Sequence, residues 1–245
     1  MRALLRLAPL LLLAALALPA GASAQAHPSS AVVWSAAGAA AIGGAFLLDA
    51  QIRDEVYLEQ RGAPSPVAQV SEWLGRTEIA LPVIGLTYEV ARRRGDERVA
   101  QGAAHVAESV VLGSVADLAL KSVLGRSRPG EGGDRDEFHP LSFRGVRQSF
   151  PSGHTTVAFA VASTVSREAH RPWVTALSYG TASMVGWSRV RRDRHWSSDV
   201  VAGAVLGIAT PRVLERWRAY RADGGGARPT LALSPLGFTA TIPLR

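Results

Sequence analysis

The chain has 245 residues, 47% of them hydrophobic, enough for one sizeable domain or a domain with small attachments. Its formal net charge of +7 favours anionic partners, but no basic run is interleaved with aromatics as a nucleic-acid groove requires, so nucleic acid is set aside. It has no cysteine, which excludes disulfides, a thiol nucleophile and a thiolate metal site.

Residues 1–24 read as a secretory signal peptide. Arg2 and Arg6 give a basic start, Leu10 to Leu18 a short apolar stretch, and Ala22-Ser23-Ala24 a small-residue cleavage site, with Ala24-Gln25-Ala26 as second choice. The stretch is short for a membrane span; an uncleaved anchor is the alternative. A helical domain is expected over 25–222, with its diagnostic core at 99–214. It begins with an Ala- and Gly-rich helix over Ala31–Leu48 and an amphipathic one over Ser65–Leu74, where Pro66 suits a helix start. Thr77–Arg92 follows. Val99–Leu124 is a long helix with a break allowed near Gly113, and Gly125 caps its C-terminus. From Gly125 to Pro151 runs a loop with Gly130, Gly132 and Gly133 and no apolar period, which is either functional or disordered. Helices over Ser152–Glu168, Trp173–Trp187 and Trp196–Trp217 complete the domain, the last kinked or interrupted at Pro211.

Residues 223–245 form a joint and a tail. Gly224-Gly225-Gly226 is flexible, and Thr230 to Leu244 alternates around Ser234-Pro235-Leu236-Gly237 as a hairpin does. Two strands cannot make a membrane barrel, so the tail is expected to pack on the helices. His105, Glu108, Asp117 and Lys121 make the long helix costly in lipid, and Ala31–Leu48 is barely of spanning length. The sequence therefore favours buried helices of an exported soluble or membrane-associated protein, periplasmic or on the periplasmic face of a membrane. A multi-span protein is the alternative.

Three clusters carry the chemistry. Lys121 and Arg128 bracket the end of the long helix, and Arg189 ends another; arginine offers phosphate a planar fork and lysine a point charge. Any one alone is more often a solvated surface cation. Pro151-Ser152-Gly153-His154 opens an apolar helix whose first N–H groups lack partners and favour an anion, and Gly153 allows close approach. His195 and Asp199, four apart, share a helix face. A carboxylate on one imidazole N–H frees the other nitrogen to attack; a surface His–Asp pair is the bland reading. His105 and Glu108 are expected to form a satisfied buried pair, and His139 to face solvent. Arg191, Arg192 and Arg194 either solvate their loop or meet a second phosphate or an anionic membrane surface.

Lys-x6-Arg-Pro, Pro-Ser-Gly-His and Ser-Arg-x5-His-x3-Asp, in that order, resemble the signature of the type 2 phosphatidic-acid phosphatase and vanadium haloperoxidase superfamily over Val99 to Leu214. The resemblance implies an all-α helical bundle, here with a short β-hairpin-like tail. It implies a metal-independent phosphatase for phosphate monoesters or diphosphates, lipid-linked ones foremost, working through a phosphohistidine. Lys121, Arg128, Arg189, Ser152 and Gly153 would bind phosphate. His195 would attack, Asp199 would orient it, and His154 would protonate the leaving oxygen and then activate water. Pro129, Pro151 and Ser188 would shape the loops. No cofactor is implied, nor does the chain show a carboxylate cluster suited to a metal. The alternatives are a haloperoxidase, in which the same cage holds vanadate, and a non-catalytic helical binding protein.

Overall fold

The computed structural model describes residues 28–58, 65–222, 230–234 and 237–241. The signal peptide expected at 1–24 and the glycine joint at 224–226 lie outside the described residues. Among the described residues seven α-helices follow one another: α1 (Pro28–Arg53), α2 (Pro66–Leu74), α3 (Thr77–Arg93), α4 (Glu97–Leu124), α5 (Gly153–Ala169), α6 (Pro172–Arg191) and α7 (Ser197–Ala222). A π-helical turn, Asp54–Leu58, extends α1. The chain divides into two compact units, one ending at Pro211 and one beginning at Arg212. In the second, β1 (Thr230–Ser234) pairs antiparallel with β2 (Gly237–Thr241), Ser234 opposite Gly237.

Helix α5 sits at the centre of the first unit. Phe159 and Ala158 pack with Ile52 and Val56 from the N-terminal segment, Tyr179 and Val185 of α6, and Val200 of α7. Its other side places Val157 and Ala160 against Val106 and Val110 of α4. The α5–α7 crossing is close because it is lined by glycine: a Cβ on Gly207 would lie 2.4 Å from the Thr156 carbonyl oxygen. Gly113 serves likewise, facing Thr156 and Thr210, and α4 runs unbroken through it, contrary to the break allowed for.

Pro211 does not interrupt α7 either. Proline removes the N–H that would bond the carbonyl four residues back. That carbonyl belongs to Gly207, and the Thr210 hydroxyl donates to it at 2.8 Å instead.

Among the described residues three helices are long and apolar enough to cross a membrane: Val33–Tyr57, Glu97–Leu124 and Ser197–Ala222. Only 17% of the apolar stretch of the first and 28% of the second is buried, against 61% of the third, so the expectation of buried helices holds for α7 and is corrected for α1 and α4. Val33, Trp34 and Leu47 of α1, and Val111, Val115, Leu118 and Val123 of α4, face outward. Of the polar residues that argued against a span, Asp117 turns inward and Lys121 is part-buried near the C-terminal end of α4, while Glu108 stays exposed near its middle.

Residues 125–150 are ordered rather than loose. Gly125 takes a left-handed φ of 62°, and a Cβ there would collide with the His139 carbonyl at 1.8 Å. The segment then folds on itself: Ser127 N–H donates to Glu137 at 3.0 Å, Arg128 N–H to Val146 at 3.1 Å, and Ser149 N–H to Arg126 at 2.9 Å. It brings the end of α4, the start of α5 and the α6–α7 turn together.

Candidate active site

The predicted cations meet at that junction. Lys121, in the last turn of α4, donates to the Pro151 carbonyl and pairs with Asp117 at 3.2 Å. Arg128 donates to the carbonyls of Gly145 (3.0 Å), Arg194 (3.2 Å) and Gln148 (3.3 Å). Those neutral acceptors aim the guanidinium without cancelling its charge. Arg189 is buried, and its Nη1 lies 3.2 Å from Glu72 Oε1. The pair is not aligned as a hydrogen bond, and both Nε and Nη1 of Arg189 lack a hydrogen-bond acceptor.

The turn into α5 is tightly held. Ser152 is fully buried; its N–H donates to the Asp199 carbonyl at 2.9 Å and its Oγ accepts from Thr155 at 2.9 Å. The Phe150–Pro151 peptide is cis. Gly153 opens the helix, and a Cβ there would meet Asp117 Oδ2 at 2.9 Å. His154 follows, and its Nε2 is buried with no hydrogen-bond partner.

His195 is 3% exposed, in the turn before α7. Asp199 Oδ2 lies 3.5 Å from its Nδ1, while the Ser149 carbonyl oxygen is only 2.8 Å away. The proton on Nδ1 is thus taken by a backbone carbonyl rather than by the carboxylate expected to orient it. Asp199 works one step back: it accepts from Ser149 Oγ (2.5 Å), Trp196 N–H (2.9 Å) and Arg126 Nη1 (2.6 Å). The cause is local geometry. Asp199 lies in the first turn of α7 and caps that end through Trp196, which turns it away from the ring.

The electrostatics favour neutral histidines facing an anion. Burial, then the charge of Arg189, pushes His154 down to about 3. Burial, then Arg128, Lys121 and Arg189, lowers His195 well below its ordinary value. Burial also lowers Arg128, and brings Arg189 down to about 10 against the pull of Glu72. These groups sense one another's charge, as members of one site do. Among the described residues no group of three or more His, Cys, Asp or Glu is placed to hold a metal ion.

Glu72 of α2 was not foreseen. Burial alone would raise its carboxyl, but Arg189 and Arg192 outweigh that and hold it below the usual range. It pairs with Arg189, Arg192 and Arg76, and Gly75 beside it packs on His154, where a Cβ would come within 2.9 Å of the His154 carbonyl oxygen. Nothing in a lone Glu on an amphipathic helix announces this. Arg126, Asp49 and Ser149 were missed too, although a second arginine two residues before Arg128 was a visible signal.

Other expectations shift. His105 pairs with Glu168 of α5 at 2.6 Å, half-exposed, and not with Glu108 in a buried pair. The two facing positions are set by helix packing, which the sequence spacing within α4 does not report. His139, expected in solvent, is partly covered and bonds Glu137 at 2.7 Å. Of the three arginines after Arg189, Arg192 is tied to Glu72 and Arg191 is buried; Arg194 is exposed.

Residues 102–223 match the family model described as the PAP2 superfamily. A lipid A 1-phosphatase of Porphyromonas gingivalis is 47% identical over 62 residues, 24% of this chain and 14% of that protein. A lipid A 1-phosphatase of Rhizobium johnstonii is 30% identical over 161 residues, 59% of this chain and 65% of that protein. The chain therefore spans less than two thirds of the length of these relatives. The crystal structure of Aquifex aeolicus LpxE is similar in fold, with a TM-score of 0.54 at 20% identity, covering 69% of this chain and 95% of that one.

Proposed function

Because the chain belongs to the PAP2 superfamily, we propose that it is a metal-independent phosphatase that removes phosphate from a membrane lipid. The observation behind this reading is the set of buried nitrogens without a hydrogen bond, His154 Nε2 with Arg189 Nε and Nη1, the last held only by the ion pair to Glu72, beside Arg128 and Lys121. Native proteins seldom leave such groups unsatisfied. A phosphoryl group offers them partners, and it brings negative charge to Arg128, whose own acceptors are neutral carbonyls.

The arrangement supports the following reaction. Arg128, Arg189 and Lys121 hold the equatorial oxygens, with Ser152 Oγ–H and the Gly153 N–H. With its Nδ1 proton on the Ser149 carbonyl, His195 presents the Nε2 lone pair. Nε2 attacks phosphorus, the bond to the leaving oxygen breaks, and His154 supplies that oxygen's proton. Water then attacks the phosphohistidine; His154 takes its proton, the P–N bond breaks, and inorganic phosphate leaves.

The outward apolar faces of α1 and α4 support a lipid-bound setting, with the catalytic unit at 25–222 behind a signal segment at 1–24 and the site on the outer, periplasmic side. Lipid A 1-phosphate is the first substrate to test, since that is what the relatives' names state. The test is phosphate release by purified protein in mixed micelles with chelator. Lipid A 1-phosphate, phosphatidic acid, phosphatidylglycerol phosphate, undecaprenyl diphosphate and a soluble phosphate ester would be compared. Release from a lipid phosphate supports the reading; hydrolysis of the soluble ester alone, or turnover abolished by chelator, contradicts it.

A further inference from the structure

Arg126 stands two residues before Arg128 and is used differently. It is fully buried, at 0% exposure. Its Nε and Nη2 donate to the Arg135 carbonyl at 2.9 and 2.5 Å. Nη1 reaches Ser198 Oγ (2.7 Å) and Asp199 Oδ1 (2.6 Å), and Nη2 reaches Asp49 Oδ2 (2.8 Å). A guanidinium occupied in this way has no donor left for phosphate.

Asp49 comes from α1, outside the 102–223 match. It is held by Ser197 Oγ (2.6 Å), Ser198 N–H (2.8 Å) and Ser198 Oγ (2.6 Å). On the other side of Arg126, Asp199 Oδ2 accepts from Ser149 Oγ, and Ser149 N–H returns to the Arg126 carbonyl. The circuit closes on the nucleophile, because the Ser149 carbonyl is the acceptor for His195 Nδ1. Buried ion triads add little net stability, since desolvation offsets much of their attraction, but every member sits at a fixed place.

Resting on the phosphatase reading above, we propose that Asp49 and Arg126 are positioning residues for His195. They clamp Asp199 and Ser149 so that the Ser149 carbonyl, which can only accept, claims the proton on Nδ1. The neutral ring then has its lone pair on Nε2, toward phosphorus. Asp199 acts through Arg126 and Ser149, its charge shared with a cation instead of spent on the imidazole. The N-terminal helix is thereby part of the catalytic apparatus.

The test uses the full chain in detergent, with Asp49→Asn, Ser149→Ala and the double variant. Each is measured for kcat and KM on the best lipid phosphate, for inhibition by inorganic phosphate, for thermal melting, and for the His195 tautomer by 15N resonance. Each single variant should lower kcat by about 10–100-fold, as lost outer-layer partners do, with KM and phosphate inhibition little changed. The double variant should lose no more than about threefold beyond the worse single, since both break one circuit. The 15N signal of His195 should move from Nδ1–H toward a tautomer mixture. Val110→Ala, a core truncation, serves as a control for lost stability alone.

Wild-type kcat in Asp49→Asn overturns the proposal. So does an equal loss in Val110→Ala at a matched melting temperature, or an unshifted His195 tautomer. Wild-type protein without turnover, beside a tautomer that shifts in Asp49→Asn, sinks the phosphatase reading and keeps the positioning. Wild-type turnover with an unshifted tautomer does the reverse.

Discussion

Burial and the charge of Arg189 hold His154 down to about 3, while the proposed mechanism asks it to deliver a proton to the leaving oxygen. On that mechanism the proton arrives with the substrate: a phosphate monoanion enters, and its proton passes to His154 once the dianion's charge lies beside the ring. The sign follows. As pH rises through the substrate's own second ionisation, about 6 for a phosphate monoester, the productive monoanion is lost and kcat/KM falls. A pH profile should show this alkaline limb, and a substrate with a more acidic phosphate should move it down. A limb that stays put when the substrate changes would assign it to the protein. His195→Ala and His154→Ala should each lose activity by at least ~10²-fold, the range for a lost nucleophile or general acid. Near wild-type kcat in either would remove that residue from the mechanism. Glu72 pairs with Arg189 at 3.2 Å and offsets its charge, so Glu72→Gln should tighten inhibition by inorganic phosphate several-fold. Isothermal titration measures this, and unchanged affinity would make Glu72 a bystander.

At the scale of elements, the helices were legible because their caps and periods are local. Pro66, Gly125 and the start of α5 were placed from sequence within a residue or two. The path of the chain through Gly113 and Pro211 was not, because each depends on a partner. Gly113 needs Thr156 and Thr210 opposite it, and Pro211 needs the Thr210 hydroxyl under the Gly207 carbonyl. Thr210→Val should leave that carbonyl bare and cost about 1–3 kcal/mol. Gly207→Ala would drive a Cβ into the backbone of Thr156 and Ala160 and cost at least ~1–3 kcal/mol. Thermal or denaturant unfolding in detergent checks both; an unchanged midpoint in Gly207→Ala would mean α7 moves off α5 freely. The site was legible in part for the same reason. Lys121, Arg128, His154, Arg189 and His195 announce themselves by motif, and all reach one junction. Ser149, Arg126 and Asp49 act through a backbone carbonyl and a buried ion network, which residue spacing does not encode. The i,i+4 spacing of His195 and Asp199 suggested a direct bond, but capping through Trp196 turned the carboxylate aside.

Across the whole molecule, two neutral buried histidines make stability depend on pH. Unfolded, each takes a proton near 6.5; folded, His154 does so only near 3. Below 6.5 the unfolded chain binds more protons, so this stability is present above pH 6.5 and lost as pH falls toward 3. Melting temperature should drop between pH 7 and pH 4, and His154→Gln should flatten part of the drop; a flat wild-type curve would contradict the burial. The outward faces of α1 and α4 were misjudged because their alanine, glycine and charged residues weigh against lipid in composition. The fold sends the large apolar residues outward, with Asp117 inward and Lys121 partly covered. The most direct test of the chemistry is to trap the covalent step. With labelled lipid phosphate, excess chelator and a rapid alkaline quench, the label should be found on His195 by peptide mass spectrometry. It should accumulate in His154→Ala when the leaving group is good enough to depart unaided. Label on another residue, or turnover with no phosphoenzyme in either protein, would contradict a metal-free phosphohistidine mechanism.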